Sequence, residues 1–259
     1  MLWDDLRYFL AVQRRGSHKR AARQLHVDPT TVAERVETEV LAAERALEAA
    51  DARLEGVLRV TAADGFVHYV LVPALSQFRQ THPALTIDLR ADTTLLDLSR
   101  READIAIRLA RPKEPALVAR RLGAMPLALF ASESYLDRRG VPRSLNALTA
   151  HDWIGFDSSL DQLPQVKWLR GVLARPRYVL RANTTTTQAL SCAEGHGIAL
   201  LPVFVAAREA RLRRLLPRVA TPSRDLWAVT HVDMRSNARV EAFVVWLQQI
   251  VTLVTDTPR

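Results

Sequence analysis

The chain has almost no cysteine: Cys192 is the only one among its 259 residues. An intrachain disulfide and a cysteine-based zinc site are therefore excluded, which fits a reducing compartment. The seven histidines are scattered without a second His or Cys at ligand spacing, and neither GxSxG nor a P-loop occurs. We predict no metal, no cofactor and no enzymatic activity, although turnover of a bound metabolite would revive an enzymatic interpretation. Cys192 is expected to be a small core residue of a helix.

Long uncharged hydrophobic runs are also missing, so the sequence predicts no membrane span and no membrane partner. Charged and amide side chains interrupt residues 1–25, which argues against a signal peptide and predicts a cytoplasmic protein. Acidic residues are in deficit: the net charge is +8 and the pI is near 10.4. This excess favours an anionic partner, with nucleic acid first. The alternative is an arginine-rich, solvated surface without a partner.

The first 36 residues predict short helices that cross at a tight turn. Gly16 ends one helix, and Ser17 is a good N-cap for the next. Asp28 can cap a third helix that begins at Pro29. The apolar face of the first helix is predicted to hold Leu2, Leu6, Phe9 and Leu10, and that of the second Ala21, Ala22 and Leu25. This arrangement is a helix-turn-helix.

The recognition helix of this predicted motif is the third helix of the chain, and its exposed start carries Thr30, Thr31 and Arg35. Basic side chains before the turn can reach phosphates: Arg14, Lys19, Arg20 and Arg23. The alternative is a small three-helix packing module with no role in DNA binding.

The stretch "DDLRYFLAV…GSHKRAARQLHVDPTTVAERV" resembles, in order and spacing, the N-terminal winged helix-turn-helix of LysR-type transcriptional regulators. The resemblance implies promoter DNA as a partner. It departs from the family at His18, where an apolar residue is usual, and at Glu34, where an acid would repel phosphate.

The largest departure from the family is a missing segment. LysR-type regulators follow the start of the recognition helix with its second half, a two-stranded wing and a linker helix. Here the chain passes directly into a stretch that resembles the later linker, which predicts a truncated winged helix and weakened DNA binding. The fused helix has an apolar seam at heptad-like spacing: Val32, Val36, Val40, Ala43, Leu47, Ala50 and Leu54. Such a seam favours pairing into a homodimer or tetramer, and the alternative is a helix packed on its own domain.

The remaining two hundred residues alternate strands with helices, which predicts parallel β-α-β units. The pattern restarts near residue 132, so we predict an α/β, two-lobed, periplasmic-binding-protein-like effector domain. Strands are expected at 57–61, 85–90, 117–122 and 126–131, and "REARLRRLLPR" is expected to be a solvated helix face. The predicted boundaries are 1–36 for the helix-turn-helix, 37–55 for the linker and 56–259 for the effector domain, with lobe I at 56–128 and 225–259 and lobe II at 129–224.

This region resembles the effector-binding domain of the same family through "LRVTAADGF", "HPALTIDL", "EADIAIRLARP", "GHGIALLP" and "NARVEAFVVWL". The resemblance implies a small-molecule effector in the cleft between the lobes, at strand ends and helix N-termini. The candidate contacts are Ala63, Asp64, Gly65, Thr93, Thr94, Arg108, Asn183, Thr184 and His196. Each has a simpler interpretation: threonines cap helices, Arg108 can pair with a surface carboxylate, and glycines serve turns.

Two functions follow from these patterns. The first is a LysR-type regulator that binds promoter DNA and responds to a small metabolite. The second is a truncated, dimerising, ligand-binding protein that does not bind DNA on its own. The missing wing is the feature that separates them.

Overall fold

The structure, a computed structural model, describes residues 3–49, 54–91 and 103–255. The amino-terminal head consists of helices α1 (Trp3–Arg15), α2 (His18–Leu25) and α3 (Pro29–Ala49). The strands that follow are β1 Gly56–Ala62, β2 Leu85–Ala91, β3 Ile105–Arg108, β4 Leu117–Ser132, β5 Asp152–Phe156, β6 Arg177–Ala182, β7 Ile198–Pro202, β8 Leu212–Leu215 and β9 Ser223–His231. The helices among them are α4 Asp64–Phe66, which continues through a π-helical turn Val67–Leu71 into α5 Val72–Thr81, then α6 Glu133–Arg139, α7 Pro164–Val172, α8 Thr185–Ala193, α9 Val203–Ala206 and α10 Ala238–Thr255.

The turn of the head forms as the sequence predicts. Ser17 Oγ accepts the N–H of Arg20 and caps α2, and His26 ends that helix in the left-handed region. Asp28 Oδ1 accepts the N–H of Thr30 at 2.8 Å and caps α3. The three helices enclose a small core made of Tyr8, Ala11, Ala21, Ala22 and Val32.

The buried face of α1 differs from the predicted one. Phe9 and Leu10 are 42% and 38% exposed, whereas Tyr8 and Ala11 are buried. The difference arises because α2 and α3 both contact the Tyr8–Ala11 side of α1. Leu2 and the side chain of Leu6 lie outside the described residues.

Helix α3 runs without interruption from Pro29 to Ala49, so the predicted continuity of this helix is confirmed over that length. The described residues between Leu25 and Gly56 contain no strand. The predicted seam needs a correction, because Val32 and Val36 pack inside the head of their own chain. Val40 and Leu54 are exposed, and the side chains of Ala43, Leu47 and Ala50 lie outside the described part.

The effector domain contains the parallel units that the sequence predicts. In the first lobe, β1 pairs in parallel with β2 and β3, and in the second, β5 pairs in parallel with β6 and β7. The strand order is β2-β1-β3-β9-β4-β7-β5-β6, and β8 pairs with β4. The two antiparallel strands β4 and β9 therefore join the lobes, as two chain crossings require.

Two local predictions were wrong. The expected strands at 117–122 and 126–131 are one strand, β4, whose register with β9 shifts between Arg121 and Gly123. The segment "REARLRRLLPR" is a turn followed by β8, whose residues pair with Leu129–Ser132 of β4. Its leucine spacing favours a helix, but the available edge of β4 makes a strand the better hydrogen-bonded arrangement.

Each lobe has its own aromatic core. Phe78 meets Phe243 at 5.2 Å and Trp246 at 5.1 Å between ring centroids, which holds α5 against α10. In the second lobe Trp153 is fully buried and donates its Nε1–H to Leu148 O at 3.2 Å. Of the helices in the described ranges, none is sufficiently long and apolar to cross a membrane.

The burial of His151 predicts a pH-dependent stability for the second lobe. Tyr135 Oη accepts the N–H of Asp152 at 2.8 Å and lies 3.2 Å from His151 Nδ1, to which it can donate when that nitrogen carries no proton. Burial, followed by the charge of Arg139, lowers the pKa of His151, against an opposing effect of Asp152. The unfolded chain therefore binds this proton more readily than the folded chain does.

We expect the free energy of unfolding to fall as the pH drops from about 7.5 through the usual histidine range near 6.5. His151→Asn retains an acceptor near Nδ1 and removes the titration, so its stability should fall less over the same interval. Urea unfolding at about pH 7.5 and at a pH below the histidine range near 6.5 measures how the stability of each protein depends on pH. Equal slopes in wild type and variant would contradict this assignment.

Candidate functional site

A cavity of about 790 Å³ lies between the two lobes, within the range typical of small-molecule sites. The first lobe contributes Ala63, Asp64 and Ile107 to its wall, and the second contributes Phe156 and Thr185. Further apolar lining comes from Leu109, Leu117, Met125, Leu127, Leu160, Leu163, Leu200, Pro202 and Val229. The cavity is therefore mainly apolar and is built from both halves of the domain.

The structure places some of the predicted effector contacts on this cavity and not others. Ala63, Asp64 and Arg108 line it. Gly65 lies beside it, in a small apolar pocket of about 30 Å³. Asn183 and His196 are exposed, and with Thr184 they are absent from the described lining of this cavity. Thr93 and Thr94 lie outside the described residues.

Thr184 acts as a helix cap instead. Its Oγ1 accepts the N–H of Thr187 at 3.3 Å and lies 2.7 Å from the Thr187 hydroxyl. This is the simpler interpretation that the sequence left open for the threonines. The residue after it, Thr185, reaches the cavity.

The carboxylate of Asp64 crosses between the lobes. Its Oδ1 accepts the N–H of Thr185 at 3.1 Å, and its Oδ2 accepts the N–H of Thr186 at 2.9 Å. Asp64 begins α4 of the first lobe, whereas Thr185 begins α8 of the second. A helix N-terminus attracts negative charge, so Asp64 supplies an anion that stabilises α8. We call this pair of hydrogen bonds the interlobe clasp.

The clasp depends on close approach of the two helices. A Cβ added at Gly65 would lie 2.9 Å from Thr185 Cβ, closer than nonbonded carbons approach. Only glycine at this position allows Asp64 to reach both amides of α8 without a shift of one helix. The sequence identified Asp64 and Gly65 as cleft residues but not their partner, 121 residues away along the chain.

Sequence reasoning missed the most deeply buried cation of the cavity wall. Arg224, at the start of β9, is 9% exposed; its Nη1 donates to Gln165 Oε1 at 2.7 Å and its Nη2 to Leu109 O at 3.1 Å. Burial lowers the pKa of its guanidinium. One arginine in "SRDLWAV" carries no signal that separates it from the many surface arginines of this chain.

The charged residues on the wall favour an anion. Four are basic and two acidic: Arg108, Arg111, Lys113, Arg224, Asp64 and Glu114. Asp64 is engaged by the clasp, and Glu114 Oε2 accepts the N–H of Lys113 at 2.9 Å within its own loop. Basic residues therefore outnumber acidic residues around this cavity.

The predicted DNA-contacting residues share the surface of the head around the turn. Lys19, Arg20, Arg23, Thr30 and Arg35 are exposed, and Thr31 is half-buried. Asp28 accepts hydrogen bonds from the side chain and the backbone of Thr30, and these lower its pKa. The Thr30 hydroxyl thus has a partner within the cap.

Cys192 has the structural role expected from the sequence. It is fully buried in α8, and its Sγ lies 3.3 Å from Phe130 O and 3.4 Å from Gly197 O. Burial raises the pKa of its thiol to about 12, so it stays protonated and unreactive at neutral pH.

Family models match both parts of the chain. One described as "LysR substrate binding domain" matches residues 51–251, and one described as "Bacterial regulatory helix-turn-helix protein, lysR family" matches residues 3–38. Together they cover most of the sequence.

Two curated relatives show how far the similarity extends. The HTH-type transcriptional regulator PgrR of Escherichia coli (strain K12) is 29% identical over 174 residues, 64% of this chain and 58% of PgrR. The Mau operon transcriptional activator of Paracoccus denitrificans is 26% identical over 280 aligned positions, 95% of each protein. Because 280 positions exceed the 259 residues of this chain, that activator contains residues with no counterpart here.

Solved structures agree with the fold. CrgA, a LysR-type transcriptional regulator from Neisseria meningitidis, superposes with a TM-score of 0.66 at 24% identity, over 96% of this chain and 98% of CrgA. The CrgA regulatory domain alone superposes with a TM-score of 0.66 at 26% identity, over 75% of this chain and 98% of that domain. With both family models matched in order, the chain belongs to the LysR family of transcriptional regulators.

Proposed function

We propose that this protein acts in the cytoplasm as a homodimer or tetramer that binds promoter DNA through its head and a small-molecule effector between its lobes. The observation that carries the proposal is that one chain holds both a helix-turn-helix with exposed basic side chains and a two-lobed cavity of about 790 Å³. The proposed head is 1–36 and the proposed linker is 37–55. The effector domain follows as 56–259.

The clasp suggests how the effector acts. Asp64 and Thr185 line the cavity and also form the contact between the lobes, so a molecule placed beside them changes how well the clasp closes. A ligand shifts such an equilibrium only by the difference between its affinities for the closed and the open arrangement. We propose that this difference passes along β4 and β9 to the subunit arrangement of the linker.

The missing wing favours weakened DNA binding. The described part of the linker region is one helix, so the backbone contacts that a wing adds beside the recognition helix have no source there. Val32 and Val36 are also committed to the core of the head. The second candidate function is therefore a dimerising, effector-binding protein without autonomous DNA binding.

A fluorescence titration with the DNA upstream of its own gene separates the two functions. Phosphate contacts release counterions, so Arg23→Ala should weaken binding and reduce the slope of log K against log salt by about one. Arg143→Ala, an exposed arginine of the effector domain, is the matched control and should leave the slope unchanged.

Binding that prefers the upstream sequence and is lowered by Arg23→Ala supports the regulator. Equal, weak binding to every duplex, insensitive to Arg23→Ala, would instead support the second candidate.

Removal of the charge from the clasp tests its contribution to stability. Asp64→Asn leaves one carbonyl oxygen for two backbone N–H donors, so the free energy of unfolding should fall by about 1–3 kcal/mol. Asp137→Asn, on the exposed face of α6, should change it by less than about 0.5 kcal/mol. Urea unfolding of the three proteins measures the difference, and equal stability of all three would show that the clasp does not hold the lobes.

A further inference from the structure

The side chain of Arg224 raises a question that the family resemblance does not answer. It is nine-tenths buried, it lines the interlobe cavity, and its hydrogen-bond partners are a neutral amide and a neutral carbonyl. Among the described residues, no carboxylate lies within ion-pair distance of it. A buried charge is costly unless an opposite charge accompanies it.

The hydrogen bonds to Arg224 position its guanidinium. Gln165, itself buried in α7, accepts from Nη1, while Leu109 O accepts from Nη2. These two contacts come from different lobes and leave further N–H donors of the guanidinium, which has five in a planar fork. A planar fork matches a carboxylate in geometry as well as in charge.

The other natural position for an acid group is already taken. The N-terminus of α8 faces the cavity, but the Asp64 carboxylate occupies the amides of Thr185 and Thr186. A second carboxylate there would meet Asp64 at close range and would be repelled. The acid group of a ligand is therefore directed to the Arg224 side of the cavity.

The rest of the wall sets the chemistry of the remainder of the ligand. Met125, Leu127, Phe156, Leu163 and Leu200 supply apolar surface. Such a surface gains little from a sugar or a polyamine but gains from burying a hydrocarbon group.

We propose that the effector is a small organic monocarboxylate whose acid group pairs with Arg224 and whose hydrocarbon body lies against the apolar wall. This inference rests on the proposed function of the cavity as the effector site. It assigns Arg224 as the residue that recognises the negative charge of the ligand, and Gln165 as the residue that positions the Arg224 guanidinium. Asp64 completes the selection because it excludes the acid from the N-terminus of α8.

Matched acids and amides test the charge. Thermal unfolding of the full chain is followed at constant ionic strength with hexanoate, phenylacetate or cyclohexanecarboxylate, each against its neutral amide. At least one acid should raise the midpoint of the wild-type protein while its amide does not, because only the acid compensates Arg224. If no acid stabilises the wild-type protein more than its amide does, the proposal is overturned.

Variants locate the effect. Arg224→Gln should lower the affinity for the stabilising acid more than about tenfold, as loss of one partner of a buried charge pair does. Arg224→Lys keeps the charge but not the planar fork, so it should retain part of the affinity. It also provides a second test of the site if the glutamine variant does not fold. Arg121→Gln removes an exposed arginine that pairs with Asp225 outside the cavity, and it should leave the affinity for the acid unchanged. Unchanged acid binding in both Arg224 variants would overturn the proposal.

The outcome is independent of DNA binding. Acid binding through Arg224 without recognition of upstream DNA would refute the proposed regulator and leave this inference standing. Selective DNA binding without any preference for acids over amides would refute this inference and leave the proposed regulator standing.

Discussion

The arrangement of the effector domain depends on one carboxylate that accepts hydrogen bonds from the first backbone amides of a helix in the other lobe. Asp64 reaches the amides of Thr185 and Thr186, and the absence of a side chain at Gly65 permits the approach. The helix N-terminus that would otherwise attract an anionic ligand thus has its anion from within the chain. The clasp adds to the join made by β4 and β9, and it leaves Arg224 as the buried cation of the cavity wall that is available to an anionic ligand.

A second constraint shapes the head. One helix runs from Pro29 to Ala49, and the first apolar positions of its predicted seam, Val32 and Val36, serve the core of the head. The same face of one helix cannot pack inside a monomer and against a partner at the same level. The pairing between copies of this chain that we propose therefore has to use later positions of the helix.

The sequence predicted local structure well where local chemistry decides it. The caps at Ser17 and Asp28 are such cases, as is the alternation of strands and helices. Prediction from the sequence failed where contact with a distant part of the chain decides the local structure. Phe9 was placed inward because nothing in α1 reveals which side α2 covers, and the "RLRRLL" segment became a strand because β4 offered an edge. For the same reason Asp64 was found but its clasp was not, and Arg224 had no signal before the lobes were brought together.

Hydrogen exchange at the amides of Thr185 and Thr186 is the most direct test of the clasp. These amides begin α8 and have no acceptor within their own helix, so in an open arrangement they would exchange freely. We expect slow exchange in the full-length protein and a marked acceleration in Asp64→Ala, with the amides later in α8 changed much less. Fast exchange at both threonines in the unaltered protein would contradict it.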